Sequence, residues 1–211
     1  MPKTGPKRRR HVSTVAEESD DLALVERIKA GEKAAWDELL ARHADRMFNL
    51  CLRMVGSREF AADLAQDAMV KVIEGIGTYD GRARLSTWIH RVTTNVVISK
   101  LRAEKHRRHA SLEAGPSGNH EQAPSSLRQS LTTREPAPES NVEVQQQRRR
   151  VTAALLKLSP DQRAIIVLRD SQGLDYEQIG DVLGIGVGTV KSRLFRARAA
   201  LRDAIENEPE H

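Results

Sequence analysis

Aromatic side chains make up only 3% of this 211-residue sequence, and cysteine occurs once, at Cys51. One cysteine excludes a disulfide framework and a cysteine-based zinc site, and it fits a reducing compartment, so a cytoplasmic location is expected. No stretch approaches the ~18 consecutive apolar residues of a membrane-spanning helix. The basic cluster Lys7-Arg8-Arg9-Arg10 has no apolar run behind it, so no signal peptide is expected. No alternating pattern long enough for a strand occurs, and the fold class is therefore all-α. Converging chemistry is missing as well: no carboxylate pair, His/Cys metal spacing or nucleophile set comes together. Asp63 and Asp67, one helical turn apart, are too little for a metal site. An enzyme such as a nuclease is not expected, nor is a metal or a cofactor.

What is present is charge. The net charge is +5, and the cations cluster in the N-terminal tail, in Lys100 to Arg108, and near the C-terminus. That balance favours polyanionic partners. At ~100–200 residues per domain the chain has room for one or two.

Residues 1–19 read as a disordered basic tail, either solvated or touching nucleic acid without sequence preference. Asp20 or Asp21 is placed to cap a short helix carrying Leu22, Leu24, Val25 and Ile28, which Gly31 ends. A longer helix is expected from Lys33 to Val55, with Trp36, Leu39, His43, Met47, Leu50, Cys51 and Met54 on one face. His43 and Cys51 read as packing residues. Ser57 can cap a helix from Arg58 to about Ile76, with Phe60, Leu64, Ala68 or Met69, and Val72 inward. Asp63, Gln66, Asp67 and Lys71 lie on its other face. A glycine-containing loop precedes a helix that starts at Ser86 or Thr87, runs through Trp88, Val92, Val97 and Leu101, and turns basic at its end. Cations suit a helix C-terminus, but their density exceeds what the dipole requires. His106 and His109 on this segment read as surface residues.

From 110 to 144 the composition shifts to Ser, Gly and Pro, with Pro116, Pro124, Pro136 and Pro138 and no aromatic residue, which reads as a flexible linker. Two domains are expected, 20–109 and 145–206, with a short tail at 207–211. The second opens with a helix around Val144 to Leu158. Ser159-Pro160 then supplies an N-cap and a first-position proline.

The stretch from Leu174 to Leu201 is the most informative. Asp175 with Gln178 forms a capping box, and Ile179, Val182 and Leu183 make an apolar stripe. Gly184, Ile185 and Gly186 are expected to supply a corner with positive φ. A second helix from about Gly188 turns Val190, Leu194, Ala197 and Leu201 inward and Thr189, Lys191, Ser192, Arg193, Arg196 and Arg198 outward. This is the pattern of a helix-turn-helix that reads a major groove. The alternative is a surface hairpin with solvated arginines. Against it stand the glycine corner and the absence of any acidic residue from Gly186 to Arg202.

Together these stretches resemble the extracytoplasmic-function (ECF) sigma factors, the two-domain promoter-recognition subunits of bacterial RNA polymerase. Ala62 to Val72 is similar to the family's core-binding helix, and Tyr79 to Val92 with Asn95, Leu101 and Arg102 to its −10 segment. Leu158 to Arg169 and Gly186 to Arg198 are similar to its −35-reading domain. Ile73 stands where many relatives carry Trp, and the linker is longer and richer in Ser and Pro than is typical.

The resemblance implies that Asp63, Gln66, Asp67 and Met69 contact core polymerase. It implies that Lys191, Ser192, Phe195 and Arg196 reach −35 bases and backbone, with Thr189, Arg193 and Arg198 near phosphates. A pocket at Tyr79–Leu85, including Arg82 and Arg84, with Asn95 nearby, would take an unstacked −10 base. Lys100, Arg102, Arg107 and Arg108 would follow the single strand. Tyr79 is expected to be the better exposed aromatic there. Trp88 reads as core packing, with a wedge against the duplex edge as the alternative. An anti-sigma factor in another chain is the implied controller. A stand-alone helix-turn-helix regulator is the rival reading; it explains 174–201 but gives the first-domain helices no job.

Overall fold

The computed structural model describes residues 15–113 and 142–207, and within them the chain is helical with no strand. The expectations for residues 1–14, 114–141 and 208–211 lie outside the described residues.

Among the described residues, the N-terminal half has four helices. α1 (Val15–Lys29) begins before Asp20, correcting the expected start: Ala16, Glu17 and Glu18 favour helix, and no glycine or proline stops it sooner. α2 (Lys33–Val55) ends at Gly56, whose φ of +73° lets its N–H reach the Leu52 carbonyl at 2.8 Å. Ser57 caps α3 (Arg58–Gly75), its Oγ accepting from the Phe60 N–H at 3.3 Å. A single 3₁₀ turn, Ile76–Thr78, leads to the loop before α4 (Leu85–Glu113). That helix runs past residue 109 into the segment expected to be linker.

Among the described residues, the C-terminal half has four more. α5 (Val142–Lys157) is followed by α6 (Pro160–Ile166), where Ser159 and Gln162 close a capping box. α6 continues as a π-helical turn, Val167–Ser171, and Gly173 (φ +72°) stops it. α7 (Tyr176–Leu183) and α8 (Val187–Glu206) form the helix-turn-helix.

With few aromatics to spend, the interior is aliphatic. One cluster joins α1 to α4 through Leu24, Leu39, Met47, Val72 and Leu85. A second draws from both halves: Leu50, Cys51, Met54 and Leu64 with Leu155, Ile165, Leu168 and Ile179. Fully buried side chains such as Leu39, Leu64 and Ile165 each contribute about 1.5–3 kcal/mol. α4 packs on α6 and α7, and α2 on α5, α6 and the π turn.

Two details tie the halves together. A Cβ on Gly56 would lie 2.6 Å from Leu156 Cδ1, so the end of α2 meets α5 at contact distance. Arg163 is only 6% exposed, yet it has carbonyl partners for all three nitrogens. Its Nε donates to Leu155 O at 2.9 Å, Nη2 to Leu156 O and Leu158 O at 2.6 and 3.1 Å, and Nη1 to Met54 O. Burial pushes its pKa down to about 10, well above neutrality, so the group stays charged.

Candidate nucleic-acid interface

The corner of the helix-turn-helix is built from three glycines with different jobs. Asp175 caps α7, its carboxylate accepting from Gln178 N–H at 2.9 Å while the Gln178 amide oxygen accepts from Asp175 N–H at 2.9 Å. Gly184 has φ +66°, as expected. Gly186 does not: at φ −67° it is the extended N-cap of α8, which corrects the expected second left-handed position. Gly180, which the sequence reading passed over, is the close approach. A Cβ there would meet the Ile185 carbonyl oxygen at 2.8 Å, where Ile185 N–H bonds back to Gly180 O at 3.0 Å.

That corner sets the register of α8. Val190, Leu194 and Ala197 are buried, and Leu201 is half-buried. Thr189, Lys191, Ser192, Arg193, Phe195, Arg196 and Arg198 are all exposed. Phe195 stands out at 72% exposure, an aromatic ring held in water beside Lys191 and Arg196. Ser192 Oγ donates to Thr189 O at 3.1 Å and Arg196 Nε to Ser192 O at 3.4 Å, so both side chains lie along the helix surface. Arg198 is engaged by Asp170 at 2.6 Å. The exposed face holds cations, hydroxyls and one apolar ring, which is the donor and methyl-contact set a major groove can use.

On α3, Asp63, Gln66 and Asp67 share an exposed face. Met69 is half-buried and packs on the α1–α4 cluster, so it faces away from that stripe. The exposed apolar residues there are Val70 and Ile73, each 47% exposed, one and two further turns along. Spacing from Asp67 would have found them, had the phase been set by Leu64 rather than by the motif.

The loop before α4 differs from expectation at one residue. Tyr79 is 7% exposed; its hydroxyl donates to Ala83 O at 2.7 Å and its ring meets Trp88 edge-on at 5.9 Å. It is an inward strut that shapes the loop, not the exposed aromatic, because its hydroxyl finds a carbonyl within the same turn. Trp88 is half-buried against the cluster, which agrees with core packing. Arg82 is exposed and bonded to Asp80 at 3.1 Å, and Arg84 is half-buried.

Along α4, Asn95, Lys100, Arg102 and Arg107 are exposed, as is Arg91 one turn before Asn95, which extends the cationic surface. Arg108 is on the same helix, its side chain outside the described residues. Arg102 Nη2 donates to both Asp161 oxygens, at 2.8 and 3.0 Å. It also lines a cavity of about 480 Å³ with Ser159, Asp161, Gln162, Ile165, Arg193 and Arg196. Cations of α4 and α8 thus meet in one place.

Two further titratable residues are packing groups. His43 and Cys51 are buried on α2. Burial, with Arg46, His90 and Arg42 nearby, lowers His43 to about 4, and burial raises the Cys51 thiol to about 12. No helix among the described residues is long and apolar enough to cross a membrane.

Comparison with known proteins agrees with this geometry. Residues 39–107 match the family described as Sigma-70 region 2, and residues 148–201 match Sigma-70, region 4. The chain is 30% identical over 184 residues to the ECF RNA polymerase sigma factor SigW of Bacillus subtilis, covering 87% of this chain and 95% of that protein. It is 36% identical over 181 residues to ECF RNA polymerase sigma factor SigE of Mycolicibacterium smegmatis, covering 82% of this chain and 63% of that longer protein. The fold is also that of two solved structures. RpoE of Bartonella quintana, solved with the anti-sigma factor NepR, superposes with a TM-score of 0.59 at 23% identity, over 82% of this chain and 98% of that one. CnrH, solved with the cytosolic domain of CnrY, gives 0.59 at 21% identity, over 90% and 99%. Both halves are therefore those of the sigma-70 class. Within that class the chain belongs to the ECF RNA polymerase sigma factors, and it directs promoter-specific transcription initiation.

Proposed function

We propose that the protein is a non-catalytic, cytoplasmic specificity subunit with two working domains, 20–109 and 145–206. The first docks on core RNA polymerase through Asp63, Gln66 and Asp67, with Val70 and Ile73 in place of Met69 as the apolar part of the contact. Carboxylates beside exposed apolar residues suit a basic partner surface with an apolar centre. The second reads a −35 duplex. Lys191, Ser192 and Arg196 address base edges, Phe195 a thymine methyl, and Thr189, Arg193 and Arg198 the phosphates. The loop Tyr79–Leu85 and Asn95 receive an unstacked −10 base while Lys100, Arg102, Arg107 and Arg108, joined by Arg91, follow the strand. Tyr79 acts there by holding the loop's shape. Tethering both readers in one chain raises their effective concentration on one promoter. An anti-sigma factor in another chain is the proposed controller.

The observation that carries this reading is the exposed face of α8, where Phe195 lies in water amid cations and no acidic residue interrupts the helix before Asp203. Mixing the purified chain with bacterial core polymerase and resolving the complex by size-exclusion tests it. Co-elution at one copy per core is the expected result; separate elution contradicts the assignment of α3.

A further inference from the structure

Two adjacent residues of the turn before α7 reach in different directions. Residues 167–171 form a π turn, in which the Gln172 N–H donates to the Val167 carbonyl at 3.0 Å. Single π turns are frequent at functional sites. Within this one, Arg169 Nη1 donates to the Leu174 carbonyl at 2.7 Å, and its guanidinium lies 4.9 Å from the centre of the Tyr176 ring, which ties it to the start of α7. Asp170 Oδ1 accepts from Arg198 Nη2 of α8 at 2.6 Å. The π turn is thereby joined to both helices of the helix-turn-helix.

Stability gives little reason for the second contact. The Arg198 and Asp170 side chains are 45% and 47% exposed, and an ion pair so open to water adds little to folding. A carboxylate beside a DNA-reading face is also a liability, since it repels phosphates. The α8 sequence carries no acidic residue before Asp203, yet the preceding turn supplies one to Arg198. Arg198 follows Phe195 by three residues and Lys191 by seven, so it shares their exposed stripe. Among the described residues, Lys191, Arg193 and Arg196 have no carboxylate partner.

We infer that Asp170 is a positioning residue for −35 binding, which holds the Arg198 fork at the edge of the reading face, ready for one backbone phosphate. The inference rests on the assignment of Arg198 to a phosphate made above. An arginine side chain has much rotamer freedom to lose on binding, and fixing it beforehand removes part of that cost. The guanidinium is planar and rigid, so a carboxylate that holds Nη2 also sets the direction of Nη1 and Nε, whose N–H groups remain to donate to phosphate oxygens. The Arg198 contact is then the best-defined phosphate contact of α8.

The test reads phosphates one at a time. The full chain is assembled with core polymerase and bound to promoter fragments, taken from the starts it directs, in which single −35 phosphates are replaced by uncharged methylphosphonates. One position is expected to cost several-fold in affinity, and Arg198→Ala should abolish that penalty, which identifies the phosphate Arg198 meets. Asp170→Ala should remove most of the penalty at that position and leave the penalties elsewhere as they were. Asp170→Asn, which keeps an oxygen in place, should retain part of it. Total affinity is not the readout, because removing the carboxylate also removes a charge that repels DNA. A scan unchanged by Asp170→Ala overturns the inference, and so does an equal weakening at every position, which marks a merely structural role. A scan unchanged by Arg198→Ala removes Arg198 from the phosphate contacts and the inference with it.

Discussion

Arg163 donates a hydrogen bond to the carbonyl of Met54, more than a hundred residues away in sequence, and its other bonds go to Leu155, Leu156 and Leu158. Met54 belongs to the last turn of α2 and Leu155 and Leu156 to the last turn of α5. Helix C-termini leave their final carbonyls without partners and carry partial negative charge. One buried guanidinium therefore donates to last-turn carbonyls of two helices, sharing the Leu155 carbonyl with the Leu158 N–H. Arg163→Leu is expected to lower stability by about 3 kcal/mol, since buried acceptors left unsatisfied are costly. Urea unfolding checks it, and Arg163→Lys, with one donor group in place of the fork, should recover only part of the loss.

His43 makes stability depend on pH. Its folded pKa is lowered to about 4 from 6.5 by burial and by Arg46, His90 and Arg42. The folded state thus holds the neutral form, and the unfolded state takes up the proton first as pH falls below 6.5. Stability is full above that value and declines toward pH 4, with about 2 kcal/mol lost by pH 5 from this residue. His90, lowered chiefly by burial, acts in the same direction. Urea midpoints at pH 7.5 and 5 should show the decline, and His43→Gln should reduce it to the part that His90 carries.

Arg196→Ala is expected to weaken discrimination among −35 variants by about 1–3 kcal/mol while core-polymerase binding stays unchanged. Competition binding against a panel of −35 duplexes reads the first part and co-elution the second. An equal loss of both contradicts the division of labour between α8 and α3.

Asp67→Arg is expected to do the reverse, removing core-polymerase binding by placing a cation against a basic partner surface. Binding to −35 duplexes should persist. Normal polymerase affinity in this variant removes the assignment of α3.

Gly180→Ala places a methyl 2.8 Å from the Ile185 carbonyl oxygen, a backbone atom that cannot turn aside. A loss of about 1–3 kcal/mol is expected, together with weaker −35 binding as the angle between α7 and α8 opens. Gly184→Ala has open space and only the positive φ to overcome, so it should cost about 1–2 kcal/mol and leave the angle intact.

Much of this was legible in the residues. The bounds of α2, the caps at Ser57, Ser159 and Asp175, and the inward and outward faces of α8 follow from periodicity and capping chemistry, which act within a turn or two. What was not legible is long-range or depends on phase. Tyr79 looked exposed because sequence places it in a loop; the Ala83 carbonyl that takes its hydroxyl is visible only once the loop is folded. Met69 and Val70 trade places through one step of helical phase. The role of Arg163 is not visible in the sequence, since the carbonyls that hold it come largely from two other helices. Gly180 is required by an atom on the far side of the corner.

The most direct test of the central claim is to add the purified chain to core polymerase on fragmented genomic DNA and sequence the run-off transcripts. Starts that share two upstream elements, lost on omission of the chain and weakened by Arg196→Ala, are the predicted result. Starts with no shared upstream element, or starts unchanged when the chain is left out, would contradict it.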